Sequence, residues 1–225
     1  MDAGEEGMRF RDRQDAGQRL AVLLEGVVAA DAIVLALPRG GVPVAAEVAQ
    51  RLGLELDVLL VRKLGVPGHE ELAMGAIAAG GATVFNEELL AQLLIEPAAV
   101  ERVIERERRE LQRREQAYRG SRPMPLLQGR QVVLIDDGLA TGATMRAAVK
   151  ALRQYRPQRI VVAVPVAPPE AVVELEREAD EVICLLTPAS FFGVGYWYED
   201  FSQTSDDEVR ALLRAARQHS EDRAL

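Results

Sequence analysis

At 225 residues, 48% of them apolar, the chain is long enough for one sizeable hydrophobic core, or one core with an appendage. Its net charge of -8, with acids and bases interspersed, argues against general nucleic-acid or membrane-surface binding, which would want a basic face. No run approaches the roughly 20 apolar residues of a membrane span, the polar start MDAGEEGMRFRDR is no secretory signal, and the lone Cys184, inside the apolar run Val182–Leu186, excludes an internal disulfide and points to a buried thiol in a reducing cytoplasm.

Residues 1–9 are expected to fray. From Phe10 to Val28 apolar residues recur at helical spacing (Ala16, Leu20, Leu23, Leu24, Val27), which predicts one amphipathic helix packed on the core. Asp31–Leu37 is the first predicted strand, nearly all apolar, as a parallel strand covered on both faces should be. It runs into Pro38-Arg39-Gly40-Gly41-Val42-Pro43, where two glycines let the backbone turn sharply and approach a ligand closely. A helix over Val44–Leu52 follows, with Pro43 near its first turn. Leu56–Val61 is the second predicted strand and ends in Arg62-Lys63; two cations at a carboxyl strand end suit a polyphosphate, Arg through its fork and Lys as a point charge. Leu64–Ala73 has the composition of a polar, mobile loop with His69 exposed in it, and Ala76–Ala79 with Ala82–Phe85, split by Gly80-Gly81, form the hairpin that carries it.

Asn86 is placed to cap a helix over Glu87–Leu94. Pro97 opens a longer one to about Tyr118, with a thin apolar seam: Val100, Val103, Ile104, Leu111 and Tyr118. The rest of that helix is Glu and Arg, with i,i+4 pairs such as Glu105/Arg109 and Glu110/Arg114, so it should pack by one edge, a partner subunit being one surface it could meet. Gly120–Gly129 is a linker to Val132–Thr144, VVLIDDGLATGAT, the most informative stretch of the chain. There an apolar strand to Ile135 meets two carboxylates, Asp136 and Asp137, then the turn signals Gly138 and Thr141-Gly142, then a helix from Ala143 to Leu152. In a parallel sheet this joint lies at the carboxyl edge, where ligands of open α/β sheets bind. The helix start offers unpaired N–H groups and a positive dipole end that suit a phosphate, and Thr141 and Thr144 add hydroxyls. The aspartates would repel that phosphate, so they must face hydroxyl groups, a divalent cation, or both.

A Walker A loop is excluded, since Ala143 rather than lysine follows Gly142, and Gly193-Val194-Gly195 lacks the third glycine of a dinucleotide fingerprint. Arg159–Val166 is the next strand, Pro169–Glu178 a helix opened by proline, and Glu181–Leu186 the last core strand. This alternation argues for a mainly parallel sheet in an α/β domain. Ser190–Gln203 concentrates the aromatics Phe191, Phe192, Tyr196, Trp197, Tyr198 and Phe201 in a chain only 4% aromatic. Their faces suit a flat heterocycle, a hydrophobic lid or a dimer contact. Ser205 with Glu208 has capping-box spacing and starts a final helix to about Gln218, with His219 in a frayed tail.

The stretch from Val132 to Thr144 resembles the signature of the type I phosphoribosyltransferases, and the likeness extends from about Asp31 to Leu186. The Arg-Gly-Gly, Arg-Lys and aromatic segments look closer to poorly characterised, phosphoribosyltransferase-like members of that family. The resemblance implies a single α/β domain over 1–225 with a mainly parallel central sheet flanked by helices. To the core, 31–186, it adds a flexible hairpin loop, and the chain adds a helical insertion (86–120) and a small aromatic-rich hood with a helix (187–219). It implies transfer of the 5-phosphoribosyl group from 5-phosphoribosyl-1-pyrophosphate (PRPP) to a small nitrogen acceptor, usually a nucleobase, with release of pyrophosphate. Asp136 and Asp137 match the acids that hold the ribose hydroxyls and, through water, Mg2+. Ala140, Thr141, Gly142, Ala143 and Thr144 match the 5-phosphate turn. Arg39, Gly40 and Gly41 match the pyrophosphate loop, where many members have a non-proline cis peptide, and Lys63, supported by Arg62, matches a basic position on pyrophosphate. Arg39, Lys63, Asp136 and Asp137 are thereby the catalytic set.

The family commonly recognises its base after the last strand, which makes Phe192, Tyr196 and Trp197 base-pocket candidates. Its loop at Leu64–Ala73 closes over the sugar, where Glu70 or Glu71 could reach the base or metal. Ala140 stands where 6-oxopurine enzymes carry an acid, which argues against hypoxanthine–guanine activity. A cytoplasmic homodimer without nucleic-acid or membrane partners is expected. A non-catalytic PRPP- or nucleotide-binding regulator, or a hydrolase on the same acids, remains as an alternative, the hydrolase without a histidine to activate water.

Overall fold

The computed structural model describes residues 9–93 and 95–223, with the backbone alone at 71 and 220–223. Residues 1–8, Leu94 as a helix end, and any contact of the Glu71 side chain therefore lie outside what is described. In chain order the elements are α1 (Arg13–Leu24), β1 (Ile33–Ala36), α2 (Gly41–Leu52), β2 (Glu55–Val58), β3 (Val61–Val66), β4 (His69–Ala78), β5 (Thr83–Phe85), α3 (Glu87–Leu93) and α4 (Pro97–Arg119). There follow β6 (Gln131–Ile135), α5 (Ala143–Arg153), β7 (Arg159–Val166), α6 (Pro169–Leu175), β8 (Glu181–Leu186) and α7 (Asp206–Arg223).

Alternation along apolar strands builds a sheet with two buried faces. Val34 and Ala36 of β1, with Val133 and Ile135 of β6, face α1, α2 and α7; Ile33 and Leu35, with Val132 and Leu134, face α5 and α6. The sheet is five-stranded, in the order β2-β1-β6-β7-β8, and every pairing in it is parallel. This is the α/β fold with a mainly parallel sheet flanked by helices that the alternation predicts. A three-stranded antiparallel sheet, β3-β4-β5, stands beside it. No helix among the described residues is long and apolar enough to cross a membrane.

Three boundaries differ from expectation. The second strand does not run from Leu56 to Val61: β2 stops at Val58, the buried Leu59-Leu60 link leaves the main sheet, and β3 begins at Val61 in the second sheet. The unbroken apolar run hid the change of sheet. Leu64–Ala73 is a paired hairpin rather than an open loop, turning at Pro67-Gly68, because Leu64, Val66 and Met74 bury on the core; His69 is exposed, as expected. Finally, α1 starts only at Arg13, capped by Asp12, and Phe10 instead bridges to Tyr198.

The seam of α4 is buried at Val103, Ile104, Leu111 and Tyr118, as predicted. It also buries two charges that a solvated helix would not: Glu107, ion-paired with Arg62 at 2.7 Å, and Arg119, which donates to Asp57 Oδ2 and to the Val58 carbonyl. The helix thus docks on its own chain, along β3 and the start of α7. Cys184 is half-buried with its thiol on the Leu186 carbonyl, and burial pushes it up to about 11, the behaviour of a structural thiol.

Candidate active site

β1 and β6 are neighbours in register, so the loops leaving their carboxyl ends lie side by side. The Leu37 amide donates to the Ile135 carbonyl at 2.8 Å and ties them together. The approach is so close that only glycine fits. A Cβ on Gly41 would come within 2.7 Å of the Ile135 carbonyl oxygen and 2.9 Å of Asp136 Cα, and one on Gly40 would overlap the Asp137 carboxylate. The Pro38–Arg39 peptide is cis. The pyrophosphate-loop match and the acid pair, separate signals in the sequence, are thus one packed unit.

Within that unit the carboxylates differ. Asp136 Oδ1 accepts the Asp137 amide, and burial, then the charge of Asp137, raises its carboxyl well above the usual range. Asp137 Oδ2 accepts Arg13 Nε–H at 2.8 Å, with side chains only 12% and 15% exposed. The Asp137 carbonyl accepts the Tyr198 hydroxyl at 2.6 Å, and burial, then the charge of Asp137, raises that phenol. Sequence reasoning missed both partners. Arg13 carries no motif and lies far away along the chain, and Tyr198 was one aromatic among several, with nothing to distinguish a hydrogen-bonding ring from a stacking one.

The next joint opens to solvent. Ala140, Thr141, Ala143 and Thr144 are exposed. Gly142 caps α5 at φ +71°, a conformation other residues resist. Thr141 Oγ1 lies 3.4 Å from the Ala143 amide, and the bond from the Arg146 amide to the Gly142 carbonyl begins the helical ladder. Amides ahead of it point out of the helix end, with the positive end of the dipole behind them.

Cations gather on the far side of Pro38. A cavity of about 40 Å³ is lined by Pro38, Thr144, Arg62 and, from α4, Arg114. Val61 and Arg62 both line this cavity, and the exposed Lys63 does not. Arg114, read as half of an ion pair with Glu110, does make that pair and lines the cavity as well. Arg39 is exposed and sits 3.8 Å from Asp206 at the start of α7. Asp206 also accepts the Tyr118 hydroxyl at 2.6 Å, and burial, then this bond, pushes that phenol up to about 12.

The hood divides its aromatics. Residues Val194–Trp197 form a 3-10 turn that throws Tyr196 outward and Trp197 inward. Trp197 is fully buried with Phe10, Ala16, Val166 and Tyr198, so it is a core residue and offers no face to a base. Phe192 and Tyr196 are 70% and 44% exposed, with ring centroids 5.3 Å apart, and supply the open ring surface. No cluster of three or more His, Cys, Asp or Glu among the described residues is arranged to hold a metal. The Asp136–Asp137 pair suits instead an ion that arrives with waters and phosphates, as Mg2+ does.

A model of the phosphoribosyl transferase domain family matches residues 14–200. Two proteins from Mycobacterium tuberculosis strains CDC 1551 and H37Rv, each named "Putative phosphoribosyl transferase", are 48% identical over 217 residues, 96% of this chain and 49% of theirs. The chain thus spans about half the length of these relatives. The crystal structure of TT1426 from Thermus thermophilus is similar at 49% identity and a TM-score of 0.83, covering 92% of this chain and 98% of that one.

Proposed function

The chain belongs to the phosphoribosyl transferase domain family, and from that premise we propose that it transfers the 5-phosphoribosyl group of PRPP to a nitrogen acceptor, a nucleobase, releasing pyrophosphate. One observation carries the reading. The acid pair packs against the Gly40-Gly41 turn and runs on into the solvent-facing 140–144 turn, and in this reading each of the two turns takes an anion. A sugar with a phosphate at one end and a pyrophosphate at the other matches that order of charge.

In the reaction the acceptor nitrogen forms a bond to the anomeric carbon as the bond to the pyrophosphate oxygen breaks, and the acceptor's proton leaves to solvent. Positive charge builds on the ring and negative charge on the departing oxygens. The amides and hydroxyls of the 140–144 turn hold the 5-phosphate. Asp136 and Asp137 hold the ribose hydroxyls, and the anionic Asp137 favours the cationic ring. Arg39, with Arg62 and Arg114 lining the cavity beside Pro38, meets the pyrophosphate, and Lys63 is the further cation of that set. Bound Mg2+, held through water by Asp136 and Asp137, would neutralise phosphate charge. This is positioning and preorganised electrostatics without a covalent intermediate. Phe192 and Tyr196 offer the acceptor a stacking surface, and Ala140 places no acid beside a purine N7. The protein acts as a cytoplasmic dimer in this reading, and its mass in solution checks the dimer.

The test is pyrophosphate release from Mg-PRPP with adenine, guanine, hypoxanthine, xanthine, uracil or orotate, using the Asp136→Asn/Asp137→Asn double variant as blank. Acceptor-dependent release, absent from the blank, supports transfer and names the acceptor. Release without an acceptor would replace it with hydrolysis. Binding of PRPP without release by any acceptor would favour a regulator.

A further inference from the structure

Arg13 joins the acid pair to the hood. Its Nε–H donates to Asp137 Oδ2 at 2.8 Å, and its Nη1–H donates to the Ser202 carbonyl at 2.7 Å. The same guanidinium lies 4.0 Å from the centroid of the Phe201 ring and 6.0 Å from that of Tyr198. A planar fork with five N–H groups can serve a carboxylate and a carbonyl in fixed directions while it stacks flat on an aromatic face; an ammonium, a point charge with three donors on one atom, lacks that fixed fork and flat stacking. The Tyr198 hydroxyl holds the Asp137 carbonyl from the other side, and the Tyr198 and Phe201 rings are 5.0 Å apart. Residues 198–202 of the hood are therefore tied to Asp137 at both its side chain and its main chain. The bond from Arg13 to Oδ2 fixes the orientation of the Asp137 carboxylate. The pair is nearly out of solvent, so salt screens it little.

We infer that Arg13 is a positioning residue that fixes the Asp137 carboxylate for the ribose hydroxyls and couples occupancy of that carboxylate to the hood, so that sugar-phosphate binding is transmitted to Phe201 and Trp197. This rests on the reading of Asp137 as a ribose-holding acid. When a hydroxyl binds Asp137, the carboxylate shares its charge between two donors, and Arg13 shifts its weight toward Ser202 and Phe201. Trp197 meets the Tyr196 ring edge-on with centroids 5.4 Å apart, so in this inference the ring surface offered to the acceptor responds to the donor sugar.

The chain carries its own reporter. Trp197 is the single tryptophan, fully buried, and adjoins Tyr198. Mg-PRPP is titrated into the full chain with heat and tryptophan emission followed together, for wild type, Arg13→Ala and Arg13→Lys, with far-UV circular dichroism checking the fold. In wild type the emission change should track the heat. In Arg13→Ala affinity should fall about tenfold and the emission change disappear. In Arg13→Lys affinity should stay within about threefold, since an ammonium still pairs with Asp137, while most of the emission change is lost. Heat in wild type without an emission change overturns the coupling alone, as does an Arg13→Lys protein with both signals intact. A folded Arg13→Ala protein with wild-type affinity and emission overturns the whole inference. No heat in wild type removes the reading of Asp137, and the inference falls with it.

Discussion

The carboxyl edge of the central sheet and the aromatic hood are built on different terms. At the edge, function follows from chain-local joints: a strand ends, a glycine turns, a helix begins, and the groups between are delivered to one line. In the hood no local rule decides which ring is core and which is surface; neighbours from α1 and β7 decide it, putting Trp197 in and Phe192 out. A short motif therefore describes the first region well and the second poorly, although Tyr198 joins the two at the Asp137 carbonyl.

Trp197→Ala should sharpen that contrast most. Emptying the hood core should cost about 3–5 kcal/mol, read as a drop in chemical-denaturation stability of the ligand-free chain. A loss below about 1 kcal/mol would return Trp197 to the base-pocket candidate that the sequence suggested.

The two loop glycines come next. Gly40→Ala should weaken PRPP by about 100-fold in calorimetry with little change in unfolding, because the group that must give way is the Asp137 carboxylate. Gly41→Ala should instead cost about 1–3 kcal/mol of stability, because its Cβ meets backbone. Equal profiles for the two would dissolve the distinction between a glycine kept for the site and one kept for the fold.

A smaller effect is expected where α4 meets β3. Burial works against the charge on Glu107, but hydrogen bonds from Arg106 and then Arg62 outweigh it and hold the carboxyl below its usual value. A depressed folded value means the contribution is present above the unfolded pKa and fades as pH falls through the folded one. Glu107→Gln should therefore lose about 1 kcal/mol near pH 7 and progressively less in acid, as denaturation at a series of pH values would reveal. Smallest of all in stability is Phe192→Ala, within about 0.5 kcal/mol, while the KM for the acceptor rises and that for PRPP does not. A rise in both would move Phe192 from acceptor surface to general packing.

The sequence carried the strand–helix alternation, the acid pair, the 140–144 turn and the α4 seam, because each depends on spacing within one segment. It did not carry the break between β2 and β3, where Leu59-Leu60 continues an apolar run through a change of sheet. Nor did it show that Arg62 and not Lys63 lines the cavity beside Pro38, since that cavity is closed by Arg114 from a distant helix. Arg13 and Tyr198 were hidden for a plainer reason: their contacts with Asp137 exist only after α1 and the hood have closed over the edge. Glu107 and Arg119 read as surface charge because their partners, Arg62 and Asp57, come from strands earlier in the chain.

The placement of β6 beside β1 also has a kinetic consequence. Ile33 pairs with Val132, so the whole hairpin sheet and both helices of the insertion are made between two strands that must meet. Loop closure over that length precedes any reward from the pairing, and non-local parallel strands assemble slowly. During synthesis the apolar edge of β1 has to wait, unpaired, for a partner not yet translated. Until then that edge is open to capture by the wrong strand.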